Sequence, residues 1–274
     1  MRDAATSPTP FLNAGGARIT SEENVAHHLR LAKAEARPIR PGGFVSTGIA
    51  DNVLRSLKLI RWMDGPAMTA ICGIPGAGKT QAIKEHCNEE GNGALYHQVA
   101  PGEGEPFGVA CAISRLFGVD PNGTALPAIR EELAKYIGSS RLLVLDEAQH
   151  LSRKGLEWVR TLAEVGRFDV AFCGDLALHA EIRKIPQLLS RLQRVVVISE
   201  IGRAEVAAMS EGTAFANDRC TDALHALARL PGGLRNVVNA MRRAELFAEG
   251  EHATPEHLRA AIEDLQLAPK GGRS

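Results

Sequence analysis

Apolar residues recur along this chain at two different spacings, and the change of spacing marks the change of element. Val25, Leu29 and Ala32 stand three to four residues apart behind a Thr20–Glu23 capping-box pair. That arrangement predicts a helix running from Thr20 to the Arg37-Pro38 step, where the proline pushes the preceding residue out of helical conformation. Ile49, Val53, Leu57 and Ile60 repeat the helical spacing in a second amphipathic stretch, which Asp64-Gly65-Pro66 ends. From Ala67 the pattern alternates. Short apolar runs at 67–72, 94–99, 142–145, 170–173 and 195–198 read as five strands. Between them, 80–90, 107–117, 125–137 and a stretch opened by Arg153-Lys154 read as helices. Strands that are apolar throughout and separated by helices predict an α/β fold, a parallel five-stranded sheet flanked by helices on both faces. Beyond Glu200 the spacing is helical only, at 203–209, 218–230, 234–248 and 255–266, the last opened by Thr254-Pro255. The expected organisation is an N-terminal arm with one helix (1–43), an α/β core (44–199), a C-terminal all-helical lid (200–268) and a short tail (269–274).

Composition narrows the function classes. The chain has 274 residues, 45% of them hydrophobic, which excludes global disorder. Aromatic residues make up only 4%, which weighs against a single-strand binder built on base-stacking platforms. Lys and Arg (32) balance Asp and Glu (32), so bulk charge alone does not hold this protein on nucleic acid. A local basic face is still available: between 151 and 194 eight basic residues face five acidic ones. Arg153, Lys154, Arg160, Arg183 and Lys184 are the candidate DNA-phosphate contacts, each equally readable as part of a solvated helix face. The five cysteines are scattered, never spaced Cys-x-x-Cys, and read as small buried hydrophobes in a reducing cytoplasm. No apolar run approaches the ~18 residues of a membrane span, and the first residues carry no signal-peptide pattern. The expected location is cytoplasmic, with no membrane partner.

The strongest chemical signal is Gly73-Ile-Pro-Gly-Ala-Gly78-Lys79-Thr80, which follows one predicted strand and opens a predicted helix. This is G-x-x-x-x-G-K-[ST] in the setting the motif requires. Its glycines let the backbone curl so that successive N–H groups face phosphate oxygens, and the helix N-terminus adds a favourable dipole. Gly73, Ile74, Pro75, Gly76, Ala77, Gly78, Lys79, Thr80 and the following Gln81 form the expected ATP-binding set. Lys79 reaches the β and γ phosphates and Thr80 ligates Mg²⁺. The second signal, Arg141-Leu-Leu-Val-Leu-Asp146-Glu147, is a buried strand delivering two carboxylates to the crevice where such sheets bind ligands. Asp146 is the second Mg²⁺-holding residue, as in a Walker B motif, and Glu147 the general base for the attacking water.

Four further positions complete the candidate site. Asp175, at the end of Val170-Ala-Phe-Cys-Gly174, orients the water or senses the γ-phosphate, or it simply caps a strand end. Arg191 and Arg194 lie just before the predicted last strand, where an arginine finger reaches a neighbouring nucleotide; either also reads as a surface charge. Arg235, behind Gly232-Gly233, folds the lid over the γ-phosphate or sits in a helix-start salt bridge.

Phosphate loop, Asp-Glu strand end, polar fourth-strand end, Ser190-Arg191 before the fifth strand, and Gly233-x-Arg235 together resemble an AAA+ ATPase, a P-loop NTPase with a helical lid. More narrowly, Asp146-Glu-Ala-Gln-His150-Leu151 followed by Leu156-Glu157-x-x-Arg160, with Phe44-Val45-x-Thr47 ahead of the second helix, resembles the transposition ATPases related to the phage Mu B, TniB and TnsC proteins. That resemblance implies an ATP- and Mg²⁺-dependent ATPase, slow and stimulated by DNA or a partner. It implies a protein encoded by a bacterium, phage or mobile element that self-associates into helical filaments or rings on double-stranded DNA, with little sequence preference. There it recruits and activates a transposase. ATP then sits between subunits with Arg191 donated in trans, and hydrolysis releases the DNA. Modest charge per subunit, multiplied along an array, reconciles DNA binding with zero net charge. Two features depart from the family. Asp175 stands where Asn is usual, placing an extra carboxylate near the phosphates. The 43 residues before Phe44 hold one clear helix, too little for the helix-turn-helix module of the phage Mu relative, so the arm is expected to contact a neighbour or DNA.

Three rival readings share parts of this motif set. Secretion or cell-envelope ATPases usually add a membrane segment and a periplasmic domain. Replication initiators and helicase loaders generally append a winged helix after the lid. A nucleotide-switch scaffold with negligible turnover keeps the binding motifs and uses ATP as a ligand alone.

Overall fold

Five strands run parallel in one sheet, in the spatial order β2 (Ala94–Gln98), β3 (Leu142–Asp146), β4 (Asp169–Gly174), β1 (Met68–Gly73) and β5 (Leu192–Ile198). The computed structural model describes residues 44–63, 65–249 and 251–265, so the expected arm helix and the tail lie outside the described residues. Helix α1 (Gly48–Arg61) is capped by Thr47, whose hydroxyl accepts the Ala50 N–H at 3.1 Å, and it buries the predicted face of Ile49, Val53, Leu57 and Ile60. Strand β1 (Met68–Gly73) feeds α2 (Lys79–Glu90), and β2 (Ala94–Gln98) is followed by α3 (Pro106–Arg115) and α4 (Leu126–Ile137), each with proline in its first turn. Strand β3 (Leu142–Asp146) leads to α5 (Arg153–Gly166), capped by Ser152. Then come β4 (Asp169–Gly174), the short α6 (Leu176–Ile182) and α7 (Pro186–Leu189), and β5 (Leu192–Ile198).

Alternation along the strands divides the core in two. Met68, Ala70, Leu143, Leu145, Val170 and Phe172 pack against α3, α4 and α5. Ile71, Leu142, Val144, Ala171, Cys173 and Val196 face the other way, toward α1, α2 and the C-terminal helices. Both faces being covered explains why β1, β3 and β4 are buried at every position. Each fully buried Leu or Ile contributes about 1.5–3 kcal/mol. Between α1 and β1 a buried polar pair is satisfied: the Ser56 and Thr69 hydroxyls are 2.6 Å apart, and Thr69 also donates to the Arg194 carbonyl at 3.0 Å.

The two ends of the sheet have different roles. At the N-terminal ends, Asp169 accepts the Ala67 N–H at 2.9 Å and an Arg61 N–H at 3.0 Å. Burial pushes its carboxyl above the usual range, and those two donors oppose the shift. This end is closed by structural contacts. The C-terminal ends of β1, β3 and β4 carry Gly73, Asp146 and Gly174, where open α/β sheets place their ligand sites.

Beyond β5 the described residues form α8 (Arg203–Ser210), α9 (Asp218–Ala228), α10 (Leu234–Phe247) and α11 (Pro255–Asp264). Val206, Leu224, Val237, Ala240 and Leu258 are continuous with the core beneath α1 and α2. Thr254 caps α11 as expected, in a box closed by the His257 side chain. Two expectations need correction. Strand β5 begins at Leu192 rather than 195, so Arg194 is inside the strand; on this edge strand Gln193 and Arg194 are polar and not buried, so the apolar run starts only at Val195. Helices α6 and α7, with seven and four residues, are too short to show helical spacing and were not expected.

Candidate functional site

The loop between β1 and α2 is shaped by its glycines. A Cβ on Gly73 would lie 2.6 Å from the Ile198 Cβ, because β5 runs alongside and the Ile74 N–H donates to the Ile198 carbonyl at 2.9 Å. Gly76 (φ 75°) and Gly78 (φ 89°) adopt left-handed conformations that let the chain curl back on itself before Lys79 starts α2. Ala77 is buried under the loop, while Pro75 and Gln81 are exposed at its rim. The Lys79 ammonium folds across the loop and donates to the Gly73 and Ile74 carbonyls at 2.8 and 3.0 Å. Curled amides, a helix N-terminus and a lysine at one mouth make a cradle for a polyphosphate.

Asp146, 2% exposed, lies beside that cradle. Its Oδ2 accepts the Thr80 hydroxyl at 2.8 Å and the Tyr96 hydroxyl at 2.9 Å; its Oδ1 accepts the Glu147 N–H at 2.9 Å. The Thr80 hydroxyl and the Asp146 carboxylate form an all-oxygen donor pair, which fits Mg²⁺. Burial, then the charge of Asp146, pushes the Cys173 thiol well above its ordinary range, so it stays protonated beneath the carboxylate. Burial likewise raises Cys72, to about 12, with Lys79 opposing. These thiols are buried and inert, as expected.

Glu147 takes a left-handed conformation (φ 53°, ψ 33°), unusual for a residue with a Cβ and a form of strain found at functional positions. The Gln149 amide donates to Glu147 Oε2, and its carbonyl oxygen accepts the Asp175 N–H at 3.2 Å. Gln149 therefore joins the ends of β3 and β4. Asp175 Oδ1 accepts the Ala177 and Leu178 N–H groups at 2.8 and 3.2 Å, capping α6. One carboxylate oxygen is thus committed to the start of the helix that follows β4.

The arginines are distributed differently. Arg191, 58% exposed, pairs with Glu164 at 3.0 Å, and Arg160 holds the other oxygen of Glu164 at 2.8 Å. Arg194 bonds Asn52 of α1 from within β5. Arg235 is exposed, one residue after a direct link between the C-terminal helices and the loop: the Leu234 N–H donates to the Gly76 carbonyl at 2.9 Å. A Cβ on Gly76 would strike the Gly232 carbonyl oxygen at 1.9 Å. Both glycines of Gly232-Gly233 have positive φ (115° and 58°), which lets the turn lie flat on the loop. Among the candidate DNA contacts, Arg153, Lys154, Arg183 and Lys184 are exposed, whereas Arg160 is largely covered and engaged by Glu164.

Lys79, Thr80, Asp146 and Glu147 therefore meet at one crevice, with Asp175 linked to them through Gln149. Arg191, Arg194, the basic residues of α5 and the Arg183-Lys184 pair after α6 engage other partners or solvent. Sequence reading gave no role to Tyr96 and Gln149. Tyr96 sits fifty positions before Asp146, and only the pairing of β2 with β3 (Gln98 opposite Asp146) brings it near.

Comparison with known proteins places this geometry. The AAA domain family matches residues 63–185, and the family of the Mu B transposition protein C-terminal domain matches 190–265. The ATP-dependent target DNA activator B of Escherichia phage Mu is 25% identical over 239 residues, 83% of this chain and 75% of that protein. The Mu-like prophage FluMu DNA transposition protein B of Haemophilus influenzae is 21% identical over 224 residues, 78% and 77% of the respective chains. Among solved structures, the Aeropyrum pernix ORC2 protein superposes with a TM-score of 0.62 at 19% identity, covering 84% of this chain and 72% of that one. At that identity the likeness is one of fold.

Proposed function

We propose, for a chain that is an AAA+ ATPase of the Mu B transposition-protein family, that ATP held at residues 73–80 drives its assembly on duplex DNA, where it activates the target for a transposase. The observation that carries the reading is the convergence of Lys79, Thr80, Asp146 and Glu147 at the C-terminal ends of β1 and β3, in a chain similar to the target DNA activator B of phage Mu. The amides of the loop bind the phosphates, and Lys79 exchanges the Gly73 and Ile74 carbonyls for phosphate oxygens. Thr80 and Asp146 hold Mg²⁺, which when bound neutralises charge on the phosphates. Glu147 takes a proton from the attacking water. Turnover is slow until DNA or a partner repositions Glu147 relative to Gln149.

The contact of Gly76 with the start of α10 gives the nucleotide a route to the rest of the molecule, because a shift of the loop moves the C-terminal helices directly. Arg191, exposed beside Glu164, completes the site of a neighbouring subunit, and Arg235 senses the γ-phosphate from α10. Arg153, Lys154, Arg183 and Lys184 meet DNA phosphates, a contact that needs no base sequence. The test is Lys79→Ala: ATP binding and duplex binding are lost together, each measured on protein whose melting temperature is unchanged. Loss of ATP binding with duplex affinity intact would contradict the reading.

A further inference from the structure

Asp146 accepts hydrogen bonds at both of its carboxylate oxygens. Its Oδ1 is occupied by the Glu147 N–H, and its Oδ2 by two hydroxyls at once, from Thr80 (2.8 Å) and Tyr96 (2.9 Å). Thr80 stands in the first turn of α2, directly behind the phosphate loop. Tyr96 belongs to β2, which pairs along its length with β3 and so forms a rigid unit with the strand that carries Asp146. Its ring is partly buried against the core on the α1–α2 face, and the Lys84 ammonium lies 5.4 Å from its centroid. A phenol ordinarily titrates at about pH 10, so at neutral pH the Tyr96 hydroxyl is the donor and the carboxylate oxygen the acceptor.

From this geometry we propose that Tyr96 is a positioning residue for the metal site: its hydroxyl fixes Asp146 Oδ2 independently of the phosphate loop, so the carboxylate is already oriented when Mg-nucleotide arrives. The inference rests on the assignment of Asp146 and Thr80 to Mg²⁺. Thr80 donates its proton to the same oxygen, which leaves its own lone pairs free for a cation. Without Tyr96, Oδ2 loses one of its two hydroxyl donors and keeps that of Thr80, from the helix the nucleotide itself engages. Partners in this outer position typically contribute 10–100-fold to metal affinity or activity.

The test uses the full chain and a fluorescent ADP analogue, with free Mg²⁺ titrated. Tyr96→Phe keeps the ring and removes only the hydroxyl. It is expected to bind the analogue as wild type does in EDTA, and to need about tenfold more Mg²⁺ for the half-maximal effect. An unchanged Mg²⁺ midpoint overturns the proposal. So does an effect in Tyr96→Leu without one in Tyr96→Phe, which assigns the role to ring packing. If wild-type binding ignores Mg²⁺ altogether, the metal assignment of Asp146 itself fails and takes the proposal with it. Should Tyr96→Phe not fold, fluorine NMR of 3-fluorotyrosine-labelled wild type decides, since the chain has two tyrosines, Tyr96 and Tyr136. Mg²⁺ added to the nucleotide-bound protein is expected to shift the Tyr96 resonance and leave Tyr136 in place. A Tyr96 signal that does not move contradicts the inference.

Discussion

Glu147 and Asp175 show how much of a site's chemistry is decided by what holds each carboxylate. Glu147 stands on a strained turn with one oxygen bonded to the Gln149 amide, and its other oxygen remains for a water. Replacing it by Gln keeps the size and removes the base. Hydrolysis is then expected to fall by about 10²–10⁴, with ATP still bound and release from DNA slowed, as read by single-turnover hydrolysis and DNA dissociation. Asp175 is expected to behave first as a helix cap. Asp175→Ala costs about 1 kcal/mol, which lowers the melting temperature by roughly 2–4 °C for a domain of this size. Asp175→Asn, an equally good cap, leaves melting unchanged, and thermal denaturation of the pair checks both. At this scale the sequence was most legible where the chemistry is contiguous, as in residues 73–80 and at Asp146-Glu147. Tyr96 and Gln149 were not legible as site residues. Their roles depend on strand pairing and on a turn that no linear spacing reveals.

Elements were legible in proportion to length and burial. Strands β1, β3 and β4, buried at every position, stood out as apolar runs; the edge strand β5 showed only its apolar half, Val195–Ile198, which hid Arg194 inside it. The packing of α1 on α2 carries a property the spacing could not show. His86 of α2 is 1% exposed, and neither ring nitrogen has a hydrogen-bond partner among the described residues. Burial lowers its pKa below the ordinary 6.5; the charges of Glu90 and Glu89 oppose the shift, while those of Lys58 and Arg61 add to it. As pH falls below 6.5 the unfolded chain takes up this proton before the folded one. Stability that is complete above pH 6.5 is therefore lost progressively on acidification toward the lower folded-state value. Melting temperature is expected to drop between pH 7 and 5, and His86→Leu, which has nothing to protonate, to remove that share of the slope. The opposite slope would contradict a neutral buried imidazole. Glu103 acts in a separate window: burial raises its pKa, but the Ala100, His97 and Arg115 donors outweigh this and lower it, so its contribution is lost only below about 4.5.

The whole molecule is organised so that one loop touches everything that has to respond to it. Residues 73–80 contact β5 through Ile198, β3 through Asp146 and the C-terminal helices through Leu234 and Gly232. The sequence predicted a helical segment after the sheet, but its backbone contact with Gly76 required the fold, since 158 positions separate Gly76 from Leu234. With zero net charge, a single copy has little hold on DNA, and an array multiplies what each copy offers. The most direct measurement is electron microscopy of the purified chain mixed with duplex DNA and Mg²⁺, with and without a slowly hydrolysed ATP analogue. Ordered arrays along the duplex that form only with the analogue are the expected result. Identical DNA coverage without nucleotide, or isolated monomers with it, would contradict the account.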